Sequence, residues 1–476
     1  MGNKSKFYAN IEAMHSEVTG SCILTSVSFP DGNKLRFIVD CGLYQEKEYE
    51  KLNGHLNLNA DNLDFVLVTH NHVDHTGQLP LLVRKGYQGP IYMSDVTAQI
   101  LSPALNDSYK VLKEKAEHEN HPLIYTVNDV YNVIDHRVGK KFYETFPIGD
   151  NVKVTFLKNG HLIGAALILV QISYNGNDDD YIYEDINLLF TGDYKKENVF
   201  FDVEEIPKWV KKLPLTIIQE ATYGDIDTTD IEYKFEDNII EAAKLHKQVF
   251  IPAFSQGRFQ EMMLTLKQMQ QKSQLPENIP IFLDGNLAFQ YTNLFLRKEL
   301  GIKEECKDFV PANSIFVDET IRRNVISDSE PKIIISTSGM ASYGPARTYL
   351  PALTCKKNAL IHFTGYNAEG TLGRRVLDCE EGEEVTIGGV QIKKLAEVQN
   401  TREFSGHAKA DEMIDFLKEF ENIKFILINH GEEETKKKFM DRVQKEIDPK
   451  DIDILDREYF FRINAYGFMK KIQTKK

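Results

Sequence analysis

The chain has 476 residues, enough for two or three domains and a large core. Apolar residues make up 42% and charged residues 27%, an ordinary balance for a soluble globular protein, and no run approaches the ~18 apolar residues of a membrane span. A net charge of −14 argues against a basic face over the whole molecule and counts mildly against a nucleic-acid partner. Residues 1–13 are polar and basic, so no signal peptide is expected, and Lys6 stands where a myristoylation motif has Ser or Thr. A cytoplasmic protein with no membrane partner is expected. Cys22, Cys41, Cys306, Cys355 and Cys379 are scattered without a C-x-x-C pair, which predicts buried thiols rather than disulfides or a thiolate metal site.

Strand and helix signals alternate along the chain, which predicts an α/β fold. Leu35 to Asp40 and Phe65 to Thr69 read as short buried strands ending in polar residues. Val96 to Glu117 reads as helical, with Pro103 near a break or a helix start. Leu162 to Tyr174 and Tyr181 to Thr191 read as two strands around Asn175-Gly176-Asn177 and three aspartates. From about Asp225 the rhythm lengthens into helix–strand units. Helices are predicted at Phe235 to Lys247 and Glu261 to Gln271. Strands are predicted at Val249 to Ala253, Ile279 to Leu283, Lys332 to Ser336 and Ala359 to Phe363. Thr386 to Ile392 suggests a hairpin, and Phe425 to Asn429 a strand ending in a histidine. Glu432, Glu433 and Glu434 precede Lys436, Lys437 and Lys438 by four residues, the pairing of an exposed helix. The basic tail ending in Lys475-Lys476 reads as solvated. The predicted division is 1–224, an inserted domain at 225–399, and a return to the first domain at 400–476.

The sharpest signal is Thr69-His70-Asn71-His72-Val73-Asp74-His75, placed just after an apolar strand. Three histidines and an aspartate in six residues are rarely packing residues. In an extended loop His70 and His72 point one way, and Asp74 and His75 face another as the chain turns, so one loop can serve two metals. Imidazole and carboxylate without thiolate suits zinc, with manganese or iron also compatible. Three residues at strand ends are candidates for the remaining positions: His161, Asp193 and His430. Each alone reads as a cap or a core residue; beside the His70–His75 cluster each reads as a ligand.

The series His70-x-His72-x-Asp74-His75, His161 and Asp193, preceded by Asp40 in Phe37-Ile38-Val39-Asp40-Cys41-Gly42, resembles the metallo-β-lactamase superfamily. Glu17-Val18-Thr19-Gly20-Ser21 is similar to the first strand region of its nuclease branch. The middle segment is similar to the β-CASP cassette of nucleic-acid-processing members, among them bacterial RNase J and the messenger 3′-end cleavage nuclease. Three motifs carry that likeness: Glu220 in Gln219-Glu220-Ala221-Thr222-Tyr223-Gly224, His407 in Phe404-Ser405-Gly406-His407-Ala408, and His430 in Asn429-His430-Gly431-Glu432. Ile251 to Arg258, Ser336 to Met340, Thr364 to Tyr366 and Gly370 to Arg374 match further cassette elements. Asp225-Ile226-Asp227 departs from relatives that carry Arg and His there.

The resemblance implies an αββα sandwich with an inserted α/β domain and two zinc ions per chain. It implies that His70, His72 and His161 hold one ion, Asp74, His75 and His430 the other, and that Asp193 bridges them. Asp40 orients a ligand from behind. Asp74, Glu220 and His407 are the implied catalytic residues, with His407, paired to Glu220, protonating the leaving oxygen. His430 at the third motif favours RNA over DNA, so the expected activity is cleavage of single-stranded RNA. A homodimer is compatible with the resemblance. Arg258, Ser338 and Gly339 are expected to help hold a phosphate, and Tyr223, Tyr343 and Tyr366 are candidates to stack on bases. The competing readings are a DNA nuclease, a hydrolase of a small ester or phosphodiester, and a non-catalytic nucleic-acid-binding subunit.

Overall fold

The computed structural model describes residues 6–15, 18–46, 48–174, 176, 182–297, 300–367 and 369–474. Glu17, Asn175, Asn177, Asp178, Asp179, Asp180 and Tyr181 of the motifs and strands above, and the tail Lys475-Lys476, lie outside these. The chain divides into two compact units: residues 1–198, 202–228 and 407–476 form the first, and 199–201 with 229–406 the second. Among the described residues no helix is long and apolar enough to cross a membrane.

The first unit is a sandwich of two sheets. One has eight strands in the order Gly467–Gln473, Tyr459–Asn464, Tyr8–His15, Cys22–Ser28, Lys34–Val39, Phe65–Leu67, Ile91–Ser94 and Arg137–Lys140. The other has seven, in the order Ile452–Ile454, Ile423–Asn429, Leu215–Glu220, Ile186–Phe190, Ala166–Ile172, Val152–Lys158 and Thr145–Ile148. Alternate side chains of both sheets, such as Ile11, Phe37, Phe156, Ile168, Leu188 and Phe461, meet in one buried cluster between them. A second cluster lies outside the seven-stranded sheet, where helices Ala410–Lys418 and Glu433–Glu446 cover Ile217 and Ile426. A third lies outside the eight-stranded sheet, beneath helices Leu79–Arg84, Asp95–Glu119 and Val127–His136. Helices on both outer faces of paired sheets make the αββα sandwich that the motifs implied.

The second unit is a six-stranded, wholly parallel sheet in the order Ser314–Val317, Ile281–Asp284, Lys332–Ser336, Gln248–Pro252, Ala359–Phe363 and Glu397–Asn400. Its central strands are buried along their whole length, which is why they read as unbroken apolar runs. The predicted hairpin is Glu384–Ile387 paired with Val390–Lys393; Gly388 (φ 60°) and Gly389 (φ 82°) both need positive φ at its two-residue turn.

Three expectations need correction. The thiols are not all buried: Cys22, Cys41 and Cys306 are, but Cys379 is half-buried and Cys355 exposed. Pro103 does not break or start a helix but lies inside the continuous helix Asp95–Glu119. Ser94 caps that helix by accepting from Thr97 N at 3.0 Å, and Ile100, Leu101 and Leu105 anchor it in the core, which outweighs the lost proline N–H. The Glu–Lys run does begin a helix, Glu433–Glu446, and Lys437 pairs with Glu433. Lys438, however, turns to Asp225 at 3.4 Å, and Lys436 is buried, so the run is not a simple solvated ladder.

Candidate metal centre

Every histidine and carboxylate of the candidate site belongs to the first unit, and Asp40, His70, His161, Asp193, Glu220 and His430 stand at the ends of strands or within three residues beyond them. Asp40 ends the strand Lys34–Val39 with a left-handed backbone (φ 63°). Its carboxylate is buried and fully used: Oδ1 accepts from Thr69 N at 2.8 Å, and Oδ2 accepts from Thr69 Oγ1 at 2.8 Å. His75 Nδ1 donates to the same Oδ2 at 2.8 Å, which leaves the lone pair of His75 on Nε2. Thr69 Oγ1 also lies 3.0 Å from His70 Nδ1, so that ring too presents Nε2. Gly42 lets the chain pass against the ligand loop; a Cβ there would lie 1.6 Å from Asp74 O.

His161 is placed from its own flank. Asn159 Oδ1 accepts from His161 N at 2.9 Å, while Asn159 Nδ2 donates to Thr191 O at 3.1 Å and Asp193 O at 2.6 Å. One side chain therefore ties the His161 loop to the Asp193 loop. On the other side, Ser94 and Thr97 hydroxyls donate to Gly164 O at 2.6 and 2.8 Å, fixing that loop to the helix start. His430, itself left-handed (φ 49°), has Nδ1 3.1 Å from Thr222 Oγ1 and turns Nε2 inward.

These atoms converge on Asp193. Its Oδ2 lies 3.6 Å from His70 Nε2 and 3.6 Å from His161 Nε2. Its Oδ1 lies 3.2 Å from His75 Nε2 and 3.4 Å from His430 Nε2. His161 Nε2 is also 3.2 Å from His72 Nδ1, and Asp74 Oδ2 is 3.9 Å from both His75 Nε2 and His430 Nε2. Two sets of four ligand atoms result, each within 4.8 Å of one another: His70, His72, His161 and Asp193, and then Asp74, His75, Asp193 and His430. Nε2 of His70, His75 and His430 and Oδ1 of Asp193 are buried without a hydrogen bond. Lone pairs left bare in a dry site are costly unless a cation receives them. The donor set fits a metal pair.

Charge agrees with that fit. Burial, then the neighbouring His75, holds the His70 imidazole well below its usual pKa, and burial lowers His72. Asp193 stays ionised despite burial, because His430, His75 and His407 surround it. Burial works against the charged form of His75, but the Asp193 and Asp40 carboxylates outweigh it and raise its pKa.

Beside this centre sits a second device. Glu220, buried at the end of Leu215–Glu220, accepts from Tyr194 N and from Thr222 N at 3.2 Å. His407 Nδ1 lies 3.2 and 3.1 Å from its two oxygens, and His407 Nε2 faces Asp193 Oδ2 at 3.9 Å. Burial opposes protonation of His407, yet the Glu220 and Asp193 carboxylates win and raise its pKa. An imidazole held by a buried carboxylate, with its far nitrogen at the centre, is built to hold and deliver a proton.

The phosphate-binding candidates lie in the second unit. Arg258 opens the helix Arg258–Gln271, donates Nη1–H to Thr364 O and has Nε 3.3 Å from Glu261. Ser338 N donates to Tyr343 O at 3.2 Å, so that amide is already used within its loop. A Cβ on Gly339 would sit 2.8 Å from the Phe254 ring. Tyr343 is exposed, but Tyr223 is buried edge-on to His407 at 6.0 Å under the Lys409 ammonium, so it is not available for stacking on a base. Asn159, Thr69, Thr222 and Lys409 were missed as site residues. Their one sequence signal is a place within two residues of His70, His161, Glu220 or His407, since each acts through contacts that only the tertiary fold creates.

Comparison with known proteins agrees with this geometry. Residues 22–198 match the metallo-β-lactamase superfamily, 259–376 the β-CASP domain, and 391–455 the zinc-dependent metallo-hydrolase RNA specificity domain. The chain is 30% identical over 451 residues to the transcription termination factor FttA of Methanosarcina mazei, covering 88% of this chain and 66% of that one. It is 30% identical over 452 residues to FttA of Methanocaldococcus jannaschii, covering 90% and 67%. A ribonuclease of Thermus thermophilus is 28% identical over 433 residues, covering 88% and 91%. The chain thus spans about two thirds of the length of these archaeal relatives and most of the bacterial one. With the motifs in order, the sandwich built and the ligand atoms gathered, the chain belongs to the β-CASP family of the metallo-β-lactamase superfamily.

Proposed function

We propose that this protein is a two-zinc ribonuclease that hydrolyses phosphodiester bonds in single-stranded RNA. The observation that carries the reading is Asp193, whose two oxygens face two separate groups of imidazoles while His407 waits beside them. In this reading His70, His72 and His161 hold one zinc, Asp74, His75 and His430 the other, and Asp193 both. Bound there, the zinc pair supplies Lewis acidity toward phosphate oxygens and makes water acidic enough to attack at neutral pH. The chain's own part is positioning and proton transfer. Asp40 and Thr69 keep the His75 and His70 rings turned so that Nε2 faces the centre. Glu220 takes the Nδ1–H of His407, so the transferable proton sits on Nε2, where a departing ribose oxygen receives it. Water adds to phosphorus and gives up one proton to solvent, the P–O bond to that oxygen breaks, and the proton from His407 completes the alcohol.

RNA is preferred as substrate because the relatives named above are a ribonuclease and termination factors, and because the third motif carries His430. Arg258, Ser338 and Gly339 remain the proposed phosphate contacts of the second unit. The test is hydrolysis of 5′-labelled single-stranded RNA and matched DNA with zinc, comparing wild type with His407→Ala and Asp193→Ala. RNA cleavage lost in both variants, with zinc retained in the first, supports the assignment. Cleavage of DNA alone, or of a small diester alone, overturns it.

A further inference from the structure

Helices cover only part of the outer face of the eight-stranded sheet. Cys22 and Ile38 lie beneath them, and Leu24 packs at their margin. Beyond that margin five strands meet in one unbroken cross-strand row. Lys470 stands opposite Arg462, Arg462 opposite Asn10, Asn10 opposite Ser26, and Ser26 opposite Arg36. Their chain neighbours Ile11, Val27, Phe37, Phe461 and Ile463 point into the core, so the two-residue period turns the whole row outward. Four interstrand gaps make the row about 19 Å long. Lys34, opposite Ser28, and Tyr8 flank it. The Arg462 guanidinium lies 3.8 Å over the Tyr8 ring, and its Nε donates to Asn10 Oδ1 at 2.9 Å.

The charge on this face runs against the rest of the chain, which has 71 acidic and 57 basic residues. Among the described residues no ion pair engages Lys34, Arg36, Arg462 or Lys470, whereas Lys471, next in sequence, is 3.0 Å from Asp453. Arg462 and Lys470 are like charges placed directly opposite, an arrangement that costs folding energy. Two carboxylates lie close. Asp64 accepts from the backbone N of Arg36 at 2.7 Å, and Glu12 sits in the next row opposite Phe460, where burial raises its pKa. A local arrangement that opposes folding, offset in part by the contacts of Arg462 with Tyr8 and Asn10, suits a surface kept for binding.

We propose that this sheet face is a second RNA-binding surface, on which a single strand lays its phosphates along Lys470, Arg462, Arg36 and Lys34 and a base against Phe460. A pleated platform carrying cations and aromatic rings suits a single strand, whose bases are free to stack and whose phosphates need no fixed groove. The identity of the polyanion rests on the ribonuclease reading; the binding itself does not.

Anisotropy of a labelled oligouridine over a KCl series tests it, using full-length, zinc-loaded protein in a His407→Gln background so that cutting does not intervene. Arg462→Glu with Lys470→Glu should weaken binding about tenfold or more and flatten the salt slope by roughly 0.7 for each phosphate no longer neutralised. Arg462→Gln with Lys470→Gln, which removes the repulsion together with the Arg462 contacts to Tyr8 and Asn10, should shift binding in the same direction in protein whose circular dichroism shows it folded. In the wild-type background both pairs should hydrolyse bis(p-nitrophenyl) phosphate, too small to reach the row, within about twofold of the parent. Unchanged affinity and slope overturn the proposal. So does an equal loss from Lys113→Glu with Lys437→Glu on exposed helices, or binding of phosphatidylserine vesicles without binding of RNA. Loss of oligouridine binding in a protein that cuts no RNA upholds this surface and rejects the ribonuclease reading.

Discussion

Asp40→Asn is the sharpest test of how the centre is held. The carboxylate makes three hydrogen bonds of 2.8 Å, to Thr69 N, Thr69 Oγ1 and His75 Nδ1. An amide keeps the first through its oxygen, and the Thr69 hydroxyl can rotate to accept from the new NH2. His75 cannot adapt, because its Nδ1–H then meets a donor. The ring either turns, carrying Nε2 away from Asp193, or exchanges tautomer and loses the lone pair on Nε2. One buried, charge-assisted bond is worth about 1.5–3 kcal/mol, a factor of about 10 to 150 in an equilibrium constant. Substitutions behind metal ligands typically cost about 10- to 100-fold in affinity, the same range. The variant should therefore bind one zinc per chain with near-parental affinity and the second about 10- to 100-fold more weakly, read by competition with a chromophoric chelator. Two zinc sites of unchanged affinity would refute the orienting role of Asp40, and equal weakening of both would show that the loop moves as one body.

Glu220→Gln should leave zinc content intact while lowering turnover of RNA by about 10²- to 10⁴-fold, measured by rapid quench; unchanged turnover removes His407 from proton transfer. Gly42→Ala places a methyl 1.6 Å from Asp74 O, so unfolding in urea should show a loss of about 3 kcal/mol or more together with lowered zinc content. Chelation should lower the melting temperature, since a ligand at a thousand times its dissociation constant stabilises by about 4 kcal/mol, and no shift would mean that the ligand cluster does not take up the metal. In the second unit, burial pushes His362 down to about 4, and Asn238 Nδ2 donates to its Nε2 at 3.1 Å, which fits only the neutral ring. A folded pKa below the unfolded ~6.5 means stability that is complete above pH ~6.5 and lost as pH falls toward 4; the unfolding free energy read from urea titrations should drop by about 2 kcal/mol between pH 7 and 5, and His362→Gln should abolish that part of the drop.

Local patterns were readable from sequence and long-range ones were not. The His70–His75 run declares itself because its ligands share one loop, and the buried strands of the second unit because both faces are covered. His161, Asp193 and His430 are single residues at strand ends, read as ligands only in the company of that run; which ion each would hold came from likeness to a family. Asn159 and Thr69 carry no signal of their own; their work is a set of hydrogen bonds that exist only once separate loops meet. Pro103 was misread because helix propensity is a local measure, whereas Leu101 and Leu105 are held by a core assembled from the whole unit. Lys436 was misread for the converse reason, a charge pattern that suits solvent placed on a face that packs.

Topology explains why ligands spread from residue 70 to residue 430 arrive together. Lys34–Val39 and Phe65–Leu67 are parallel neighbours, and Asp40 and His70 follow their C-terminal ends. In the facing sheet Ile186–Phe190, Leu215–Glu220 and Ile423–Asn429 run parallel, and Asp193, Glu220 and His430 stand at their C-terminal ends. Val152–Lys158, antiparallel to Ala166–Ile172 as Ile186–Phe190 also is, runs the same way and delivers His161. Parallel strands put their C-terminal ends on one edge, so each additional strand can contribute one side chain to the same point. The strands are fixed by a core of large buried side chains, while the ligands sit one to three residues beyond, where the backbone is free to take the left-handed turns seen at Asp40, Gly192 and His430. A rigid platform with short, individually tied tips holds repelling imidazoles within ring-centroid distances of 4.0 to 5.2 Å. That repulsion is sustained by packing across two sheets, which is why substitutions at Asn159 or Thr69 should disturb the centre as surely as substitutions at the ligands themselves.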